Sequence, residues 1–193
     1  MTVMRSLPFV LATSALCALL ALGCGDDDGA GPTVSCSGAG CTCAGAACTC
    51  ATGTDCMSTC GASGCAVTCA SGTHCDANST GPVTLTCNPM AECKGNGGDG
   101  STITCDGATK CELKAGAMST ATCSNAADCK INLGNGSTVT CSDTSNCDIK
   151  CDAGCVVTCA ATAMCKVTCG PDPDGGAPGM TCPDGRVLCG GTC

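Results

Sequence analysis

The chain has 193 residues, among them 28 cysteines, 28 glycines, a single phenylalanine and no tyrosine or tryptophan, with a formal net charge of −8. Aromatic side chains supply much of the buried area of an ordinary core, so a conventional core is excluded and cross-links must take its place. An acidic chain with eight basic residues offers no basic face to phosphates, which argues against nucleic acid as a partner.

Residues 1–23 read as an export signal. Arg5 precedes an apolar run from Leu7 to Leu22 that is too short, and too close to small residues, to be a mature membrane span. Residues 24–35 follow as a flexible tether, with Gly25-Asp26-Asp27-Asp28-Gly29-Ala30-Gly31-Pro32 at its centre. The junction Leu20-Ala21-Leu22-Gly23-Cys24 resembles the lipobox of bacterial lipoproteins. That resemblance implies acylation at Cys24, the membrane as a partner through this anchor, and a place in the cell envelope at the outer membrane or cell surface. The alternative is an ordinary secretory signal cut nearby, with Cys24 left as a thiol. Loss of the leader removes Phe9, Cys17 and Arg5, leaving seven basic against sixteen acidic residues, a net charge near −9. With Cys24 assigned to lipid, 26 cysteines remain, enough for thirteen disulfides, as expected of an exported chain.

Residues 36–68 are Cys-dense coils. Cys36, Cys43 and Cys50 repeat every seven residues, and this segment takes no regular coil. The stretch from Cys50 to Cys69 adds Cys56, Cys60 and Cys65 and reads as a tighter, more cross-linked turn of the chain, as does Cys141 to Cys159 with Cys151 and Cys155.

Residues 69–169 carry an 18-residue repeat in register. Cys69, Cys87, Cys105, Cys123, Cys141 and Cys159 form one column, and Cys75, Cys93, Cys111, Cys129, Cys147 and Cys165 a second. Units this small cannot bury an apolar face alone and must stack. The position after the second cysteine reads Asp76, Lys94, Glu112, Lys130, Asp148, Lys166. Strict alternation of charge makes sense where residues 18 apart lie about 4.8 Å apart in parallel coils, and none in an antiparallel meander. The next column, Ala77, Leu113, Ile131, Ile149 and Val167, is apolar and is interrupted by Gly95. A second strand reads T-x-T-C. Its alternation sends Leu85, Ile103, Ala121, Val139 and the cysteines inward, and the threonines outward. Turns are expected at Gly95–Gly100 and Gly134–Ser137. The constant spacing favours local bridges, Cys69–Cys75, Cys87–Cys93, Cys105–Cys111, Cys123–Cys129, Cys141–Cys147 and Cys159–Cys165. Residues 170–193 read as a linker and a Cys-rich tail. Its three cysteines are an odd number, so one must pair with the body. The predicted fold is all-β: a narrow parallel β-solenoid of about 18-residue coils cross-linked by disulfides, with an irregular Cys-rich N-terminal cap and a small C-terminal Cys knot. An uncapped solenoid end would invite association.

The T-x-T-C strands and the C-x5-C links, over residues 66–169, resemble the disulfide-laddered β-solenoids of insect hyperactive antifreeze proteins, where outward threonines form an ice-binding face. Those proteins carry T-C-T where this chain has T-x-T-C. The chain ends, including Cys182-Pro183-Asp184-Gly185-Arg186 and Cys189-Gly190-Gly191-Thr192-Cys193, resemble Cys-rich predicted lipoproteins of bacteria whose function is unknown. The candidate surface ladder is Thr68, Thr84, Thr86, Thr102, Thr104, Thr120, Thr122, Thr138, Thr140 and Thr158.

Three functions follow. The first is a non-catalytic, lipid-anchored structural or adhesive surface protein, for which threonine is simply a good strand residue. The second is an ice- or polymer-binding protein, with ice, glycan or other envelope components as partners of the ladder. The third is thiolate metal binding, since the C-x-C pairs Cys41/Cys43 and Cys48/Cys50 are soft ligands. Oxidation would consume those ligands, so no metal and no cofactor is assigned. His74, the lone histidine, has no nucleophile at triad spacing, so no catalytic residue and no enzyme activity is assigned.

Overall fold

The computed structural model describes residues 33–144, 146–170 and 177–193. The strands are β1 (Val34–Ser37), β2 (Cys41–Ala44), β3 (Ala47–Cys50), β4 (Asp55–Cys60), β5 (Cys65–Cys69), β6 (His74–Ser79), β7 (Val83–Cys87), β8 (Glu92–Gly97), β9 (Thr102–Asp106) and β10 (Lys110–Ala115). They continue as β11 (Thr120–Ser124), β12 (Asp128–Leu133), β13 (Thr138–Ser142), β14 (Cys147–Cys151), β15 (Cys155–Cys159), β16 (Cys165–Cys169), β17 (Ala177–Pro178), β18 (Met180–Thr181) and β19 (Arg186–Cys189). Odd strands β3 to β15 stack in one parallel sheet and even strands β4 to β16 in the other, so one odd and one even strand make a coil and seven coils make the solenoid. The expected fold class is therefore met.

Register follows the sequence period. Cys87 pairs with Cys105, Cys105 with Cys123 and Cys123 with Cys141, while Cys93, Cys111, Cys129 and Cys147 align in the facing sheet. Each strand alternates buried and open positions, as in Thr102–Asp106 and Asp128–Leu133. The interior between the sheets is filled by cysteine and by short aliphatic chains, among them Val67, Leu85, Ile103, Ile131, Val139 and Ile149, each at most 2% exposed. Two thin layers this close hold no ring, which is why the described core has none.

Gly95 shows how tightly the layers fit. The sequence places it in a turn, yet it lies inside β8, in register with Leu113. A Cβ built there would come within 2.7 Å of Leu85 Cδ2. The leucine of one sheet thus occupies the room that the glycine leaves in the other, and the flanking strands hold Gly95 extended.

A disulfide closes one corner of each coil: Cys69–Cys75, Cys87–Cys93, Cys105–Cys111, Cys123–Cys129, Cys141–Cys147 and Cys159–Cys165. Cys50–Cys56 sits at the same corner one coil earlier. The extra cysteines bridge the opposite corner, as Cys60–Cys65 and Cys151–Cys155. In the middle coils that second corner is held instead by buried serines. The Val83 amide donates to Ser101 Oγ at 3.0 Å, the Ser101 amide to Ser119 Oγ at 3.2 Å, and the Ser119 amide to Ser137 Oγ at 3.1 Å. Cys65 and Cys155 occupy the same column beyond its two ends. The outer coils are therefore stapled twice and the inner ones once, with a hydroxyl ladder satisfying buried amides between them.

Both ends are closed by reversed strands rather than left open. At the N-terminal end β1 pairs antiparallel with β4, and β2 with β3. Cys36–Cys41 and Cys43–Cys48 tie this cap together. The reversal turns on Gly38 and Gly40, with φ of 112° and 79°; a Cβ at Gly38 would strike the Asp55 carbonyl. At the other end β19 pairs antiparallel with β15, and β17 with β16. Cys169–Cys189 joins this cap to the body and Cys182–Cys193 closes the tail. The bare parallel edges, which would template further coils, are thereby covered.

Hydrogen bonding continues through the turns. At one corner the Met118 amide donates to the Asn135 carbonyl at 2.8 Å, and Gly100 and Gly136 repeat this one coil earlier and later. Residues in this column have left-handed backbone: Gly100 at φ 73°, Met118 at 54°, Gly136 at 67° and Gly154 at 77°. At the disulfide corner Gly72, Met90, Gly107 and Asn125 do the same, at 69°, 64°, 66° and 52°.

Candidate functional site

The two outer faces differ in chemistry. The even-strand sheet carries all six lysines of the chain, Lys94, Lys110, Lys114, Lys130, Lys150 and Lys166, together with Asp55, Asp76, Glu92, Glu112, Asp128 and Asp148. The odd-strand sheet presents threonine.

On the threonine face Thr84, Thr102, Thr120 and Thr138 stack in register, as do Thr68, Thr86, Thr104, Thr122, Thr140 and Thr158 beside them. The structure lengthens the second rank by two residues that the sequence reading passed over. Thr49 pairs with Thr68, and Thr42 of the cap pairs with Thr49. The T-C dipeptide at Thr42-Cys43 and Thr49-Cys50 was the available signal, hidden by the irregular spacing around it. Arg186, across from Thr158, ends the rank at the C-terminal cap. Spacing is set by the sheet, about 4.8 Å from coil to coil and about 6.6 Å between the two ranks. β-branching holds each threonine to few rotamers, so methyl and hydroxyl groups repeat as a stiff grid.

Four threonines in the turns spend their hydroxyls on the protein. Thr54 donates to Ala51 O at 2.6 Å, Thr73 to Ala70 O at 2.8 Å, Thr109 to Ala91 O at 3.1 Å and Thr162 to Asp143 Oδ1 at 2.8 Å. Among the described residues, the ten ladder threonines have no such partner. Their hydroxyls face outward, open to water or to a second surface.

The charged face keeps the alternating column in register: Asp76 beside Lys94, Lys94 beside Glu112, Glu112 beside Lys130, Lys130 beside Asp148 and Asp148 beside Lys166. Glu112, however, makes its direct ion pair along its own strand, with Lys110 at 2.8 Å. Residues two apart on a strand share a face, and this pair brings the neighbouring column into the network. The hydrogen bond from Lys110, with the lysine charge behind it, holds the Glu112 carboxyl below its ordinary value of 4.5 and the Lys110 ammonium above 10.5. The Glu112 contribution is thus present above pH about 4.5 and fades as the pH falls through the lowered value. The Lys110 contribution is present below its ordinary value and fades as the pH rises through the raised one. In Lys110→Ala the Glu112 carboxyl should titrate upward toward its ordinary value, read by carbon-detected NMR, with little change in stability because the pair is exposed.

His74 sits in the adjacent column between Asp55 and Glu92, its Nδ1 3.3 Å from Glu92 Oε2 on the open surface. The sulfurs of Cys87, Cys105 and Cys111 lie within 4.8 Å of one another, as do those of Cys36, Cys43 and Cys48; all six are disulfide-bonded. Cys24 lies outside the described residues. No protein-family model, curated protein or solved structure matches the chain.

Proposed function

We propose that this is a non-catalytic, lipid-anchored protein of the cell envelope, structural or adhesive, that carries a rigid solenoid on a short tether. A disulfide in every coil belongs to an oxidising compartment, outside the cytoplasm. The observation that carries the adhesive reading is the threonine grid, whose ten hydroxyls have no partner among the described residues, whereas the turn threonines Thr54, Thr73, Thr109 and Thr162 have theirs engaged. Capped ends favour a discrete rod that displays its sides, because neither terminal coil offers a bare parallel edge. The anchor is tested by labelling cells with a fatty acid: the native protein takes up label in the membrane fraction and Cys24→Ser releases it unlabelled. A labelled Cys24→Ser protein would sink the anchor.

The same grid supports a second reading, in which the face binds ice or an extended polymer such as a glycan. A repeat of about 4.8 Å by 6.6 Å over a surface of threonines, with Asp106 at its edge and Arg186 at its end, can match another repeating array of hydroxyls. Replacing Thr104 and Thr122 with tyrosine should abolish ice shaping or polymer binding while the β signal in circular dichroism stays intact. No change in either assay leaves the structural reading in place.

A further inference from the structure

Every methionine beyond the leader is on the surface. Met57, Met90, Met118, Met164 and Met180 are between 44% and 71% exposed. Methionine is ordinarily the flexible filler of irregular cores, yet the described core of this protein is cysteine, valine, leucine, isoleucine and alanine.

Nor does the fold ask for methionine at these places. Met118 stands in a column that is otherwise Gly100, Gly136 and Gly154, and it adopts their left-handed backbone at φ 54°, a conformation that a β-carbon opposes. Met90 does the same at φ 64°, between Gly72 and Gly107 in the opposite turn. Met57 and Met164 sit at the two ends of the charged face: Met57 pairs with Asp76, and the Met164 carbonyl accepts from the Cys147 amide at 2.8 Å. Among the described residues the remaining sulfur chemistry is already spent. The described cysteines are all in disulfides, and there is no tyrosine or tryptophan.

We propose that these five methionines are an oxidant-consuming surface on a core that peroxide cannot damage. The substrate class is a hydroperoxide, with hydrogen peroxide the simplest. A thioether sulfur gives an electron pair to one peroxide oxygen, the O–O bond breaks and an S–O bond forms. The departing hydroxide takes up the remaining proton and leaves as water. Each methionine loses two electrons to become a sulfoxide, and each peroxide gains two. The product is polar, and since the described side chains lie outside the core, the conversion opens no cavity and buries no new dipole. This activity is independent of what the threonine face binds.

The test is to expose the exported, disulfide-intact protein to hydrogen peroxide with free methionine as the internal standard. Peptide mapping should show all five positions oxidised at the pace of the standard, a gain of about 80 Da for five oxygens. The β signal and urea midpoint should be unchanged, and methionine sulfoxide reductases should return the original mass. Met90→Gly and Met118→Gly should each fold and take up one oxygen fewer. A position that lags well behind free methionine, oxygen mapped to any other residue between 33 and 193, or a loss of β signal on oxidation would each overturn the proposal.

Discussion

Reducing the thirteen disulfides should erase the β signal of the folded protein and leave an expanded chain. Eleven bridges join cysteines only four to six residues apart, for example Cys151–Cys155, Cys60–Cys65 and Cys87–Cys93. A loop that short restrains the unfolded chain by roughly 2 kcal/mol in the loop-entropy model. The terms do not add strictly, but a handful already equals the whole stability of an ordinary domain, about 5–15 kcal/mol. Nothing else in the coil replaces them, because the interior aliphatic groups are small. Intact mass should rise by about 26 Da on reduction, two hydrogens for each bridge, with no bound metal. A reduced protein that kept its β signal would show that strand pairing alone suffices. Little mass gain together with bound zinc or copper would turn the sulfur columns into thiolate ligands.

Leu85 and Gly95 should be energetically coupled, and each single change should destabilise the middle coils. Leu85→Ala empties a site that is 0% exposed and should cost about 3 kcal/mol, the usual penalty when a buried leucine leaves a cavity. Gly95→Ala pushes a methyl group to within 2.7 Å of Leu85 Cδ2 and should cost about 1–2 kcal/mol by overpacking. In the double variant the new methyl enters space the leucine has vacated. The pair should then cost at least about 1 kcal/mol less than the sum of the singles, a coupling typical of residues in contact. Urea unfolding of all four proteins with disulfides intact measures it. Strict additivity would mean that the two side chains do not compete for one volume.

The middle of the solenoid was legible from sequence because one residue type recurs at one spacing in several columns at once. The alternation of Lys94, Glu112 and Lys130 could be read as neighbours in space, and T-x-T-C gave the inward and outward positions of Thr102–Cys105 directly. Three features escaped, each for a physical reason. Gly95 looked like a turn because glycine is a local signal, whereas its strand conformation is imposed by Leu113 and the coils on either side. The cap of β1 and β2 was opaque because its reversal depends on backbone at Gly38 meeting Asp55 and at Gly40 meeting Ala51 and Thr54, contacts with residues further along the chain. The serine ladder of Ser101, Ser119 and Ser137 was written in the sequence as S-T-x-T-C, but a serine before a strand reads as turn chemistry. Only stacked coils bring its hydroxyl under the amide of the preceding one.

The short span of the bridges has a consequence for biogenesis. A chain threading through a translocon from its N-terminus presents cysteines in order, and each local pair, such as Cys87 with Cys93, can be oxidised before the next pair emerges. Correct partners meet first because they are nearest, so an oxidase without proofreading would suffice for the body of the rod. Two bridges break that rule, Cys169–Cys189 and Cys182–Cys193, separated by 20 and 11 residues. They can close only after Cys189 and Cys193 have been made available, so the C-terminal cap is latched covalently after the body of the rod.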